Sequence, residues 1–183
     1  MLRNVAVPVV NTVSPFELSV ACEVFGLDRS EQGVPLFDFA VVSEHPGQPV
    51  PTEMGFTLTT EHGFERLAEA DLIVVPATRP REAPVPESLV RELRAADERG
   101  AWIMSLCSGA FTLAKAGLLD GRRATTHWMN AEELAQNFPA VDVELDVLYV
   151  EDGNIITSAG TAAGIDASLH LVRRELGARV AST

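Results

Sequence analysis

Ala101-Trp-Ile-Met-Ser-Leu-Cys107-Ser-Gly-Ala-Phe-Thr-Leu-Ala-Lys-Ala-Gly117 changes its period halfway along. Trp102 to Leu106 is a short apolar run of the kind that makes a buried strand. Phe111, Leu113, Ala114 and Leu118 instead suit one face of a helix. Cys107 therefore stands where a strand turns sharply into a helix, with only Ser105, Ser108 and Gly109 around the corner. Such an elbow lifts a nucleophile out of the top edge of a sheet, where bulky neighbours would clash. The free N–H groups and partial positive charge at the helix start favour a thiolate over a thiol. Read by itself, the stretch is equally compatible with Cys107 as a small apolar residue closing a strand.

The flanking chain supplies the rest of the pattern. Val5 to Val10 is an apolar strand. Ser14-Pro15 opens a helix with Leu18, Ala21, Cys22 and Phe25 on its apolar side and Gly26 at its end. Strands follow at Phe37 to Ser43 and Asp71 to Pro76, with a hairpin between them whose better arm is Phe56 to Thr60. An amphipathic helix runs from Pro86 to Arg99. Beyond the elbow come a short strand, Arg123 to Thr126, and a helix over Asn130 to Asn137. The alternating run Val143 to Val150 then reads as a strand that pairs through Glu151-Asp-Gly-Asn154 with Ile155 to Ser158. Gly160 to Leu176 is the last long helix. Strands alternating with helices in this way predict a single α/β domain: a flavodoxin-like three-layer sandwich with a mostly parallel central sheet and a nucleophile elbow. In such folds function gathers at the carboxyl ends of the strands. Here those ends are Asn11 to Glu17, Pro76 to Arg81, Cys107-Ser108, His127 and Ala159-Gly160.

Composition narrows the class. Hydrophobic residues make up 46% and charged residues 22% of 183, and the net charge is −12. A chain this acidic is repelled by nucleic acid and by anionic membranes. Two cysteines are too few for a disulfide framework, and no apolar run approaches membrane-spanning length. The expected compartment is the cytoplasm. No histidine or cysteine pair has metal-ligand spacing, so neither a metal nor another cofactor is expected.

Each candidate residue has a plain reading beside its chemical one. Ser14-x-x-Glu17 is a capping box, in which Glu17 reaches back to the Ser14 N–H; alternatively Glu17 faces Cys107. His127 is either a packed histidine beside Trp128 or a ligand and proton relay. Arg79 and Arg81 are either a solvated turn or a clamp for a carboxylate-bearing effector. Asp166 and His170 have the spacing of an i,i+4 contact on one helix face. Phe16, Leu18 and Trp128 suit core, a pocket wall or a dimer face.

Pro15-Phe-Glu17 with Glu23-Val-Phe-Gly26, Ser105-Leu-Cys-Ser-Gly109, Ala116-Gly-Leu-Leu-Asp-Gly121, Arg123-Ala-Thr-Thr-His-Trp128 and Ile156-Thr-Ser-Ala-Gly160 together resemble the ThiJ/PfpI superfamily, related to class I glutamine amidotransferases. Within it, the chain is similar to the amidotransferase-like N-terminal domain of AraC-type transcription regulators. The resemblance implies a ligand-sensing and dimerising domain with a pocket over Cys107, lined by Ser108, Glu17, His127, Ala77 and Thr78. It also supports a protonated Glu17 beside an ionised Cys107. A small-molecule effector and a homodimer are the implied partners. DNA would be touched only by a C-terminal helix-turn-helix domain, which is absent from the chain as given.

Isonitrile hydratases carry a similar elbow and Thr-Thr-His-Trp segment. They give the alternative reading, an enzyme with Cys107 as nucleophile and Glu17 as general acid/base, where that group uses an aspartate. Against catalysis stand Ser108 in place of the histidine that often follows the nucleophile, Val172 in place of a late glutamate, and a glycine-poor loop at Ala77 to Arg81. A third reading is redox sensing through oxidation of Cys107.

Overall fold

The computed structural model describes residues 2–183. Its centre is a six-stranded sheet made of β1 (Asn4–Pro8), β3 (Asp38–Val42), β6 (Leu72–Val75), β8 (Trp102–Leu106), β11 (Tyr149–Asp152) and β12 (Ile155–Ser158). The spatial order is β11-β12-β8-β6-β1-β3, and only β11 runs antiparallel to its neighbour. The strands are apolar because both faces of the sheet are covered. Ala6, Ile73, Val75 and Ile103 pack on one side with Leu89 and Leu93 of α2 (Glu87–Glu98) and Phe111 and Leu113 of α3 (Gly109–Lys115). Val5, Val7, Leu72, Val74, Met104 and Leu106 pack on the other. Their partners there are Val20 and Ala21 of α1 (Pro15–Ala21) and Ala167 and Leu171 of α5 (Ala162–Leu176). These are the three layers that the strand–helix alternation predicts.

Smaller pieces finish the carboxyl edge of the sheet. β2 (Thr12–Val13) pairs with β7 (Thr78–Arg79), and the hairpin β4 (Val50–Pro51) with β5 (Thr57–Leu58) lies beside β2. β9 (Arg123–Ala124) pairs with β10 (Asp142–Val143) rather than with the main sheet. A helix, α4 (Ala131–Asn137), lies between them in sequence, and a four-residue helix, α6 (Ala178–Ala181), follows α5. The first helix ends in a π turn, Cys22–Gly26.

Two expectations are corrected here. The alternating run from Val143 to Val150 is not one strand: residues 144–148 form a connection, and Leu145 and Leu148 are exposed. Alternation marks a strand only where one face is buried, and this stretch has no such face. His170 does not pair with Asp166, which is exposed. It bonds Glu151 of β11 at 2.6 Å and packs on Tyr149.

Candidate effector cleft over Cys107

Leu106 ends β8 fully buried, and the next residue reverses the backbone. Cys107 has φ +56, the left-handed conformation that non-glycine residues rarely adopt. Holding a cysteine there costs on the order of 1–3 kcal/mol, so the surroundings must enforce it. Thr126 does so from one side, its hydroxyl donating to the Cys107 carbonyl at 2.9 Å. Gly109 does so from another. A β-carbon there would collide with the Val75 carbonyl, so only glycine lets α3 start this close to β6. The carboxyl ends of β6 and β8 and the entry to α1 therefore converge, and the sulfur stands among them.

The resulting cleft has a volume of about 470 Å³. Cys107, Ser108, Glu17, Ala77 and His127 all line it, so five of the six residues expected there are brought together. Thr78 is not among the lining residues. It is buried in the β2–β7 ribbon, where its backbone pairs with Val13. The cleft opens toward a groove of about 770 Å³ that shares Glu53, Arg79 and Arg81 with it. Both arginines thus belong to the site and are not a free turn. Glu53, Thr161, Met129 and Asn130 also line the cleft and carry no motif that would single them out.

Glu17 is 5% exposed, a carboxyl turned inward on α1 beside Val20 and Ala21. The capping box does not form. The Ser14 N–H donates to the Ala77 carbonyl at 2.9 Å, while the Ser14 hydroxyl donates to Glu17. The serine has been drafted to hold the carboxyl, and the free side of that carboxyl acts on Cys107 through its charge and as a hydrogen-bonding partner.

The consequence runs against the elbow argument. Burial pushes the Cys107 thiol up, the Glu17 charge and hydrogen bond push it further, and the Ser108 N–H and Arg79 pull back only in part. The net result is about 11. Desolvation and a like charge outweigh one N–H and a partly exposed guanidinium. The surroundings thus favour the thiol, against the thiolate that a helix start alone would favour.

His127 lies at the mouth. Its Nδ1 accepts the Met129 N–H at 3.3 Å and its ring stacks on Trp128, and among the described residues no hydrogen bond joins it to Cys107. Trp128 is 72% exposed and Phe16 is exposed too, so neither is core, whereas Leu18 is partly buried against the α1–α5 side of the core and Met129 lines the cleft. Arg79 binds Glu53 through Nε, whereas Arg81 binds Glu133 at 2.6 Å and lies over the Phe111 ring at 5.7 Å. Lys115 fastens this loop from below, donating to the carbonyls of Arg81 and, at 2.8 Å, Ala83.

With this geometry in hand, residues 3–174 match the DJ-1/PfpI family. The chain belongs to the DJ-1/PfpI family. It is 37% identical over 136 residues to the HTH-type transcriptional regulator CdhR of Pseudomonas aeruginosa, covering 74% of this chain and 40% of that one. It is 34% identical over 131 residues to an isonitrile hydratase of Pseudomonas putida, covering 70% of this chain and 56% of that one. The chain thus spans about two fifths and about half of the length of these two relatives. A solved AraC family transcriptional regulator of Pseudomonas putida superposes with a TM-score of 0.80 at 24% identity, over 98% of this chain and 96% of that one, which shows the shared fold. The DJ-1/PfpI family holds both regulators and enzymes, and this chain is similar to members of each kind. No helix among the described residues is long and apolar enough to cross a membrane.

Proposed function

We propose that this DJ-1/PfpI domain is the sensing half of an AraC-type transcription regulator. A small molecule enters the cleft over Cys107, and its binding is relayed to a DNA-binding half carried elsewhere in the full protein, which acts as a homodimer. The observation that carries this reading is the cleft itself, where side chains from α1, the β7 loop and the elbow converge over Cys107. Burial and the Glu17 charge also push its thiol up, to about 11, which disfavours the thiolate. Among the described residues no histidine is hydrogen-bonded to it to take its proton. A cleft of about 470 Å³ built of polar side chains around an inactive sulfur suits recognition better than turnover. The similarity to a regulator over 74% of the chain supports the same conclusion.

One observation favours the hydratase reading: Glu17 stands beside the sulfur as a ready proton carrier. In that reading the Cys107 sulfur adds to an isocyanide carbon while its proton passes by way of Glu17 to the same carbon, giving a thioimidate. Water then displaces the sulfur and releases the N-substituted formamide and the thiol. A thermal-shift screen of small organic molecules, followed by crystallography of the hits, separates the two. We expect ligand density over Cys107 and no formamide from an added isocyanide. Formamide production that Cys107→Ala abolishes would replace the sensor with the enzyme.

A further inference from the structure

The sensor reading leaves open what class of molecule the cleft takes, and the arginine–glutamate pair at its mouth narrows the choice. Arg79 is bound to the protein through Nε alone, by the Glu53 carboxylate. Among the described residues its two terminal nitrogens have no hydrogen-bond partner, and the side chain is 61% exposed. Arg81 differs: one terminal nitrogen is bound to Glu133 and the guanidinium packs over Phe111, which fixes its place, while its Nε is buried with no partner among the described residues. Ser108 lines the same cleft with a hydroxyl that has no partner among the described residues, on a side chain almost wholly buried. A guanidinium with two free terminal nitrogens and a hydroxyl beside it form a set that matches a carboxylate, and the unpartnered Arg81 Nε adds a further buried donor to the same cleft.

Glu53 shows that a carboxylate fits this guanidinium, because one is already seated on its Nε, and an acid that grips Nε together with a terminal nitrogen has to displace it. It comes from the turn of the β4–β5 hairpin, whose position does not depend on the ion pair. The Glu53 N–H donates to the Val13 carbonyl at 3.3 Å, and Thr52 closes the turn through the Phe56 carbonyl at 2.9 Å. The glutamate side chain can therefore leave Arg79 without unfolding the hairpin. Arg79 is the open partner of this pair, 61% exposed against 21% for Glu53, and a single contact on so exposed a guanidinium is weak enough to exchange for another carboxylate.

We infer that Arg79 is the carboxylate-binding residue of this cleft, that its occupant is a small organic acid, and that Glu53 is the built-in competitor which the acid displaces. This rests on the sensor reading above. The acid group docks at the mouth on Arg79 and Ser108, and the rest of the molecule lies toward Cys107. Displacement also frees the one side-chain tie, among the described residues, between the hairpin turn and β7, which makes the hairpin the first element to register that the cleft is filled.

The test is a set of NMR titrations of the ¹⁵N-labelled chain with acetate, propionate and succinate against acetamide, propionamide and succinamide. The Arg79 Nε–H and the Ser108 and Thr161 amides serve as reporters. We expect the acids to bind at least ~10-fold more tightly than the amides and Arg79→Gln to lose that margin. Glu53→Gln, which removes the competitor, should tighten acid binding by about 3- to 5-fold. Glu82→Gln removes a similar charge from the adjoining groove and should change binding by less than twofold. Amides that match the acids at the same reporters overturn the carboxylate inference while leaving a sensor in place. Failure of every compound to move a cleft reporter removes the inference as well, and if the thermal-shift screen is also silent, the sensor reading falls with it. Weaker acid binding in Glu53→Gln, or equal tightening in Glu82→Gln, overturns the competitor role.

Discussion

Gly160 lies flat against Cys107: a β-carbon on the glycine would sit 2.7 Å from both the Cβ and the Sγ of the cysteine. The glycine also has φ +89, so a side chain there is strained by its own backbone as well as by its neighbour. The closing segment of the chain is thus the floor on which the sulfur rests. Gly160→Ala should destabilise the fold by about 2–4 kcal/mol, from overpacking and from the positive φ together. Urea denaturation gives the magnitude. A crystal structure of the variant should show the sulfur pushed toward the cleft, and an unmoved sulfur with a loss under ~1 kcal/mol would contradict the packing described here.

The titration of Cys107 predicts how reactivity and stability vary with pH. Its folded value of about 11 lies above the ordinary 9.0 because of burial and the Glu17 charge. Between these two values the folded chain holds a proton that the unfolded chain has lost. The stabilisation is therefore complete below pH 9 and is lost as pH rises through 11. The amount at stake is ~2–3 kcal/mol. Other groups titrate in the same window, so the measurement is the difference between the parent and Cys107→Ser across it. Iodoacetamide alkylation of Cys107 should rise with a midpoint near 11, and Glu17→Gln should move that midpoint down toward 9.0. A midpoint below 9 in the parent would restore the reactive thiolate.

These relationships were unequally visible in the chain. The elbow could be read because two residue periods meet at Cys107 and the corner is furnished with small side chains, features that local geometry alone demands. The rule that parallel sheets gather function at one edge points to the strand ends that carry Glu17, Ala77, Ser108 and His127, and the family resemblance picks those residues out as pocket lining. Of the two readings of Ser14 and Glu17, the capping box does not form. A capping box is a local pattern, but the Ser14 N–H found a partner 63 positions away in Ala77, and no local pattern reports that. Glu53 was invisible for the same reason: a glutamate in a hairpin turn acquires meaning only when the β2–β7 ribbon carries Arg79 to it. The ionisation of Cys107 is the least legible feature, because the helix start is written in the sequence and the depth of burial is not.

Ser14 supplies the next expectation. Its hydroxyl is the hydrogen-bond partner of the buried Glu17 carboxyl, and its backbone is held independently by Ala77. Ser14→Ala therefore removes one donor without disturbing the helix entry. Losing a hydrogen bond to a buried carboxyl costs about 1.5–3 kcal/mol, more than the ~1 kcal/mol of an ordinary helix cap. Ser14→Thr keeps the hydroxyl and should recover most of the loss. Equal losses in the alanine and threonine variants, by thermal or chemical denaturation, would show that shape rather than the hydrogen bond matters.

Thr161 joins Cys107 as a second cleft residue held at positive φ without being glycine. It stands just before α5 with φ +47 and ψ −129, a conformation in which a β-carbon is crowded by its own backbone. It makes no side-chain cap for the helix, so nothing local repays the strain. Thr161→Gly should relieve on the order of 1–3 kcal/mol of strain, against ~1 kcal/mol or less lost through a more flexible unfolded chain. The net gain is about 1 kcal/mol, which for a chain of this size raises Tm by roughly 2–4 °C. Thr161→Ala keeps the β-carbon and should gain nothing. Because the residue lines the cleft beside Cys107, the stabilised variant also asks what the strain is for. A Thr161→Gly chain that is more stable yet binds its ligand more weakly would mean that the strained threonine shapes the cleft, whereas unchanged stability would mean that the backbone here is not strained at all.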